Sequence, residues 1–175
     1  MLLCLVGSEM CIRDRDITFG YEVIDSYNIL NKISEFSDFS EDIVIPTMEE
    51  CAKFSEEVLA PINAIGDQQG ATIDNGVVKM PQEFVDAYKK FAEAGWASIS
   101  LPEEIGGGGQ PITLSGGTLE ILSTANLAFG LAPGLSAGAI SAINFHGSQE
   151  QKDTFLPKLV SVSYTHLTLP TTFGV

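Results

Sequence analysis

Apolar residues recur at helical spacing along most of this chain, and the breaks in that spacing outline its elements. Phe19, Val23, Tyr27 and Leu30 stand three or four apart, so residues 19–33 read as a short amphipathic helix. The polar stretch FSDFSED ends it and offers Ser40 as the N-cap of the next, because a serine hydroxyl can accept from an amide that the first turn leaves unpaired. From Ile43, the positions Thr47/Met48, Cys51, Phe54, Val58 and Leu59 follow one face, with Glu49, Glu50, Lys53, Glu56 and Glu57 on the other. Pro46 falls in the first turns, where a missing amide hydrogen is tolerated, and Pro61 is expected to stop the helix. Asn75-Gly76 between Thr72-Ile73 and Val77-Val78 predicts a small β-hairpin.

Pro81 then opens a helix whose inner stripe is Phe84, Tyr88, Phe91 and Ala92, ending near Gly95-Trp96. After ISLPEEIGGGGQP come two apolar helical segments, residues 112–129 and 132–145, separated around Gly130–Pro133. A last helix starts after Gly147, with Ser148 as its cap, Glu150 and Gln151 in its first turn, and Phe155, Leu156 and Leu159 as its apolar side. The sum is an all-α domain with one small β-hairpin. Both segments after the glycine run carry few charges, so both are expected at the centre, wrapped by the acidic helices.

The two ends do not continue this pattern. MLLCLVGSEMCIRD has no Lys or Arg ahead of its apolar residues, the wrong order for a secretory signal. It is also too short for a membrane span, which needs roughly 20 apolar residues. With the codons ATG TGT ATA AGA GAC, Met10–Asp14 reads on the opposite strand as Val-Ser-Tyr-Thr-His, and that pentapeptide stands at residues 162–166. Inverted copies of one DNA element at both ends are what untrimmed adapters leave on a transposase-cut sequencing insert. Residues 1–15 and 161–175 are therefore expected to be adapter scar and to stay out of the fold. That leaves residues 16–40 as an N-terminal extension helix and 41–160 as the helical domain proper.

Composition narrows the classes of function. The formal net charge of −14 is unchanged when the ends are set aside, because Arg13 and Arg15 offset Glu9 and Asp14. No arginine then remains, so neither nucleic acid nor an anionic membrane is offered a basic patch. Cys51 and His146 become the only cysteine and histidine, which leaves no pair for a disulfide or a zinc site. Cys51 lies among helix-like apolar positions in EECAKF, where a buried small hydrophobe is favoured over a nucleophile. Gly106–Gly109 invites comparison with a phosphate cradle. No GK[ST] follows, however, and Glu103 and Glu104 would repel an anion, so a left-handed turn is the favoured reading. One histidine and no nucleophile elbow make no catalytic triad. The residues alone describe a soluble helical domain without a catalytic or metal-binding constellation.

Three blocks in order say more. FAEAGWASISLPEEIGGGGQP, then ANLAFGLAPGLSAGAI, then HGSQEQKDTFLPKLVS together closely resemble the N-terminal helical domain of the flavin-dependent acyl-CoA dehydrogenases. EECAKFSEEVLAPINAIGDQQG and the Asn-Gly hairpin look like a long bacterial subfamily that includes dehydrogenases acting on methylthio-propanoyl-CoA. The resemblance covers residues 16–160 and stops before the family's next block, a strand bearing Thr-Glu-Pro. It implies a cytoplasmic, FAD-dependent oxidoreductase of fatty acid metabolism that dehydrogenates an acyl-CoA thioester between its α and β carbons. A glutamate takes the α-proton while the flavin takes the β-hydride. In the family that glutamate and most flavin contacts belong to the β and C-terminal domains. The fragment, truncated before the β domain, is therefore expected to be inactive and flavin-free, and neither Glu103 nor Glu104 is promoted to the role. Electron-transfer flavoprotein and further copies of the parent are the implied partners. An acyl-CoA oxidase relative, or a non-catalytic helical interaction module that keeps this domain, stays open as an alternative.

The same resemblance places the inner end of the acyl pocket near Gly130, Gly134 and Gly138, which share a helix face through their spacing of four. Each helical glycine costs about 0.5–1 kcal/mol relative to alanine, so three on one stripe need a reason. Close helix approach is one reason. The other is room for an acyl chain beside Phe129, Leu131 and Leu135, with Pro133 expected to break the helix nearby.

Overall fold

In the computed structural model, which describes residues 14–161, a succession of helices packs around the first half of one long helix. Helix α1 covers residues 14–23 and opens with Asp14 and Arg15, which the sequence reading assigns to the scar. The rest of the proposed scar, bar Ser161 in the final turn, lies outside the described residues. The helix expected over 19–33 is broken by Asp25, whose left-handed φ of 56° separates α1 from α2 (Ser26–Leu30). The break changes which side faces in: Tyr21 and Ser26 are buried, whereas Phe19 and Val23 of the expected stripe are exposed. Tyr21, Tyr27 and Phe39 form a triangle of rings with centroids 5.9–6.0 Å apart, which ties this extension to the main core.

Ser40 is the N-cap of α3 (Glu41–Phe54) and has the extended backbone of one (φ −148°, ψ 170°), although its side chain makes no capping bond. Pro61 does not stop this helix. A π-helical turn over Ser55–Leu59 follows, in which the Ala60 amide donates to the Ser55 carbonyl, and α4 (Ala60–Gln69) continues with Pro61 in its first turn. The wider turn relieves the clash between a proline ring and the carbonyl four residues back that regular α spacing would impose. It also shifts the inner stripe, so that Ser55, Leu59 and Ile62 are buried while Phe54 and Val58 are only half-buried.

The hairpin forms as the sequence predicts. Strands β1 (Thr72–Asp74) and β2 (Val77–Lys79) pair antiparallel in the register Thr72↔Lys79, Ile73↔Val78 and Asp74↔Val77. Asn75 and Gly76 both have positive φ (50° and 79°), the type I′ geometry that matches strand twist. Helix α5 (Gln82–Glu93) follows Pro81, buries Phe84, Ala87 and Phe91, and ends where Gly95 turns left-handed (φ 76°). Short 3₁₀ turns at Trp96–Ser98 and Glu103–Ile105 flank the loop that leads to α6.

Helix α6 (Ile112–His146) corrects the expected division at Gly130–Pro133. It runs through Pro133, and its break falls earlier, at Asn126 (φ −159°, ψ 89°). Leu114, Thr118, Ile121, Leu122 and Ala125 of the first half are buried against α3, α4 and the π turn. The second half is largely exposed, so only one of the two apolar segments is central. Among the described residues α6 is the one helix long and apolar enough to cross a membrane, yet its first half is the core of this bundle. Helix α7 (Gln149–Val160) begins with a complete capping box: the Ser148 hydroxyl accepts from the Gln151 amide at 3.3 Å, and the Gln151 side chain accepts from the Ser148 amide at 2.8 Å. Leu156, Leu159 and Val160 make a second, smaller core with Ile140, while Phe155 of the expected stripe points outward. The architecture is all-α with one small antiparallel hairpin.

Candidate functional site

The six residues singled out for the acyl pocket all lie on the second half of α6, and the structure divides them. Phe129 is buried, with its ring centroid 6.4 Å from Phe84, 5.9 Å from Tyr88 and 5.5 Å from Phe91, the last in edge-to-face contact. Gly130 is buried beside it, where an added Cβ would meet Ser123 Oγ at 3.5 Å. Leu131 and Leu135 are 63% and 78% exposed, and a Cβ added at Gly134 or Gly138 would meet nothing within 4 Å among the described residues. No close helix approach is made at those two glycines by the described residues, so packing among those residues does not account for them. Phe129 and Gly130 seat the helix; Leu131, Gly134, Leu135 and Gly138 form a bare apolar strip with little side-chain bulk at its centre.

Three interactions hold this strip in place. Asn126 starts the second half as an N-cap, its Oδ1 accepting from the Phe129 amide at 3.0 Å and its Nδ2 donating to the Leu59 carbonyl at 3.3 Å. Tyr88 packs its ring on Phe129, with centroids 5.9 Å apart, and burial raises its phenol above the ordinary range. Farther along, Ile140 is clamped by α7. Sequence reasoning missed Asn126, although asparagine three residues before an apolar position is an N-cap signal; the apolar run around it concealed the boundary.

The other candidates resolve as scaffold. Gly106 and Gly109 have left-handed φ (91° and 62°). The amides of Gly106, Gly107, Gly108 and Gly109 donate to the carbonyls of Glu103, Pro102, Ser98 and Leu101, so none is free for a phosphate. Gly107 cannot be replaced, because a Cβ there would sit 2.1 Å from the Leu101 carbonyl oxygen. Cys51 is fully buried with Sγ 3.5 Å from the Thr118 carbonyl, and burial pushes its thiol up to about 12, the opposite of an activated nucleophile. No group of three His, Cys, Asp or Glu poised for a metal occurs among the described residues. A shallow hollow of about 280 Å³ lies between the Glu103–Ile105 turn and α7, and another of about 190 Å³ beside Trp96 and the π turn; neither touches the six residues.

Residues 46–163 match the family model for the N-terminal domain of acyl-CoA dehydrogenases. The chain belongs to that family. It is 37% identical over 147 residues to a 3-methylmercaptopropionyl-CoA dehydrogenase of Ruegeria pomeroyi, across 84% of this chain and 25% of the relative. It is 28% identical over 151 residues to a butyryl-CoA dehydrogenase of Syntrophomonas wolfei, with the same shares. An acryloyl-CoA reductase (NADH) of Anaerotignum propionicum is 39% identical over 79 residues, 41% of this chain and 18% of the relative. The chain thus spans about a quarter of the length of the first two. In this acyl-CoA dehydrogenase domain, the bare strip on α6 and the three interactions that hold it are the features left unexplained by packing alone.

Proposed function

We propose that this domain is the N-terminal part of a cytoplasmic, FAD-dependent acyl-CoA dehydrogenase and supplies the inner wall of its acyl pocket. Leu131, Gly134, Leu135 and Gly138 are the wall, seated by the buried Phe129 and Gly130, with the leucines touching the acyl chain and the glycines leaving it room. The observation that carries this reading is an apolar helix half left bare in a domain whose family match is clear. The Gly106–Gly109 loop has no free amide to offer a diphosphate. The flavin site and the catalytic carboxylate belong to other parts of the longer polypeptide, which passes its electrons to an electron-transfer flavoprotein and assembles with copies of itself.

The test is to recover the complete gene from its source, purify the product and follow its visible spectrum under anaerobic conditions with an acyl-CoA series. 3-Methylmercaptopropionyl-CoA and butyryl-CoA are the first substrates to try. Bleaching of an oxidised-flavin band by one of the series is expected. A colourless protein, or a flavin that no acyl-CoA reduces, would point instead to a non-catalytic module. Within an active enzyme, Gly134→Leu is expected to lower kcat/KM for longer chains and spare short ones, whereas uniform loss would indicate packing.

A further inference from the structure

Building on the reading that α6 lines the acyl pocket, we propose that Asn126 is a specificity-determining position, setting the direction of the pocket wall and so the length of acyl chain accepted. The side chain is 1% exposed, a costly place for an amide unless both of its ends are paired. Both are. Oδ1 holds the Phe129 amide, which fixes where the second half of α6 begins, and Nδ2 holds the carbonyl of Leu59, the last residue of the π turn. The backbone at 126 is extended, so the helix changes direction here; at Pro133, the residue expected to bend it, α6 stays helical. The second half is thereby aligned to the α3–α4 junction as well as to its own first half. Gly130, Gly134 and Gly138 follow Asn126 on one continuous helix, with Tyr88 packed on Phe129 at its start and α7 on Ile140 farther along. A change at the pivot therefore moves the whole strip, and displacement of a reacting geometry by only 1 Å can cost about a hundredfold in rate.

The substitutions separate the cap from the tether. Asn126→Ser keeps an oxygen that can cap the Phe129 amide but cannot reach Leu59; Asn126→Ala loses both, and lets residue 126 adopt helical angles. Both lose the Leu59 bond, so both should lower the melting temperature of the full-length enzyme. Only Asn126→Ala should change the ratio of kcat/KM between long and short acyl-CoA, by about tenfold or more, with Asn126→Ser staying within about twofold of the parent. Should Asn126→Ala not accumulate as folded enzyme, Asn126→Gln takes its place. Its longer side chain keeps an amide for Leu59 but carries the acceptor past Phe129, and the same shift is expected. The proposal is overturned if Asn126→Ala and Asn126→Ser alter the ratio equally, or if neither does while Gly134→Leu does. A ratio unmoved by Gly134→Leu would overturn the pocket reading and this proposal together, and a parent that turns over no acyl-CoA would overturn the activity beneath both.

Discussion

The two halves of α6 are similar in apolar content and opposite in surroundings. Residues 112–125 bury one face against α3, the π turn and α4, with Leu114 and Ile121 almost wholly buried and only Ile112 and Leu119 among the large apolar residues exposed. Beyond Asn126, Leu127, Leu131, Leu135 and Phe145 stand open. Hydrophobicity states that a residue needs a partner; it does not state that the partner lies within the same stretch of chain. The first half found its partners in helices that precede it. The second is seated at Phe129, Gly130, Pro133 and Ile140 and leaves its remaining face free.

This contrast can be broken experimentally. The largest effect should come from Ile121→Ala, which opens a cavity in the enclosed half and should cost about 2–5 kcal/mol in urea unfolding of this chain. A loss below 1 kcal/mol would mean that the first half is packed no better than the second. Alkaline pH probes how dry that half is. Burial raises the Cys51 thiol from its ordinary 9.0 to about 12, so the unfolded chain releases this proton first. Stability should therefore be intact below pH 9 and fall as pH rises from there towards 12, by up to about 1.4 kcal/mol per pH unit. Cys51→Ala should remove that part of the slope. Burial also raises the Tyr21, Tyr27 and Tyr88 phenols, which leaves a residue of the same sign starting near pH 10.

In the open half the effects should be smaller and one should change sign. Gly134→Ala meets no neighbour and removes a helix-weakening glycine, so the isolated chain should gain about 0.5–1 kcal/mol. A loss instead would place an undetected neighbour there. Leu135→Ala should stay within about 0.5 kcal/mol of the parent chain, as exposed substitutions do. If it destabilised as much as Ile121→Ala, the strip would be covered in solution, and sedimentation would show by what.

Much of the fold was legible because it rests on local rules. Asn75-Gly76 specified its own turn, Ser148 and Gln151 their own capping box, and the glycines after Pro102 a left-handed loop. Each depends on residues a few positions apart. Errors arose where a short-range signal had a long-range alternative. Pro61 should end a helix by its ring and missing amide, yet a π turn absorbed it; Pro133 should have divided α6, yet the division went to Asn126. Phe19, Val23 and Phe155 follow helical spacing but face outward, because α1 meets the core through Tyr21 and α7 through Leu156, Leu159 and Val160.

For the candidate site, the sequence by itself gathered six residues between positions 129 and 138, marked glycines that helix formation does not want, and carried enough of a family pattern to name the domain. Periodicity and composition suffice for that, since both are properties of consecutive residues. Only the tertiary structure decided that Phe129 and Gly130 turn inward while Leu131, Gly134, Leu135 and Gly138 stay bare, and that Asn126 both caps the second half of α6 and bonds the carbonyl of Leu59, 67 residues away. Such a bond leaves no trace in local pattern, because an amide and a carbonyl far apart along the chain become partners only after packing has removed the water that would otherwise satisfy them.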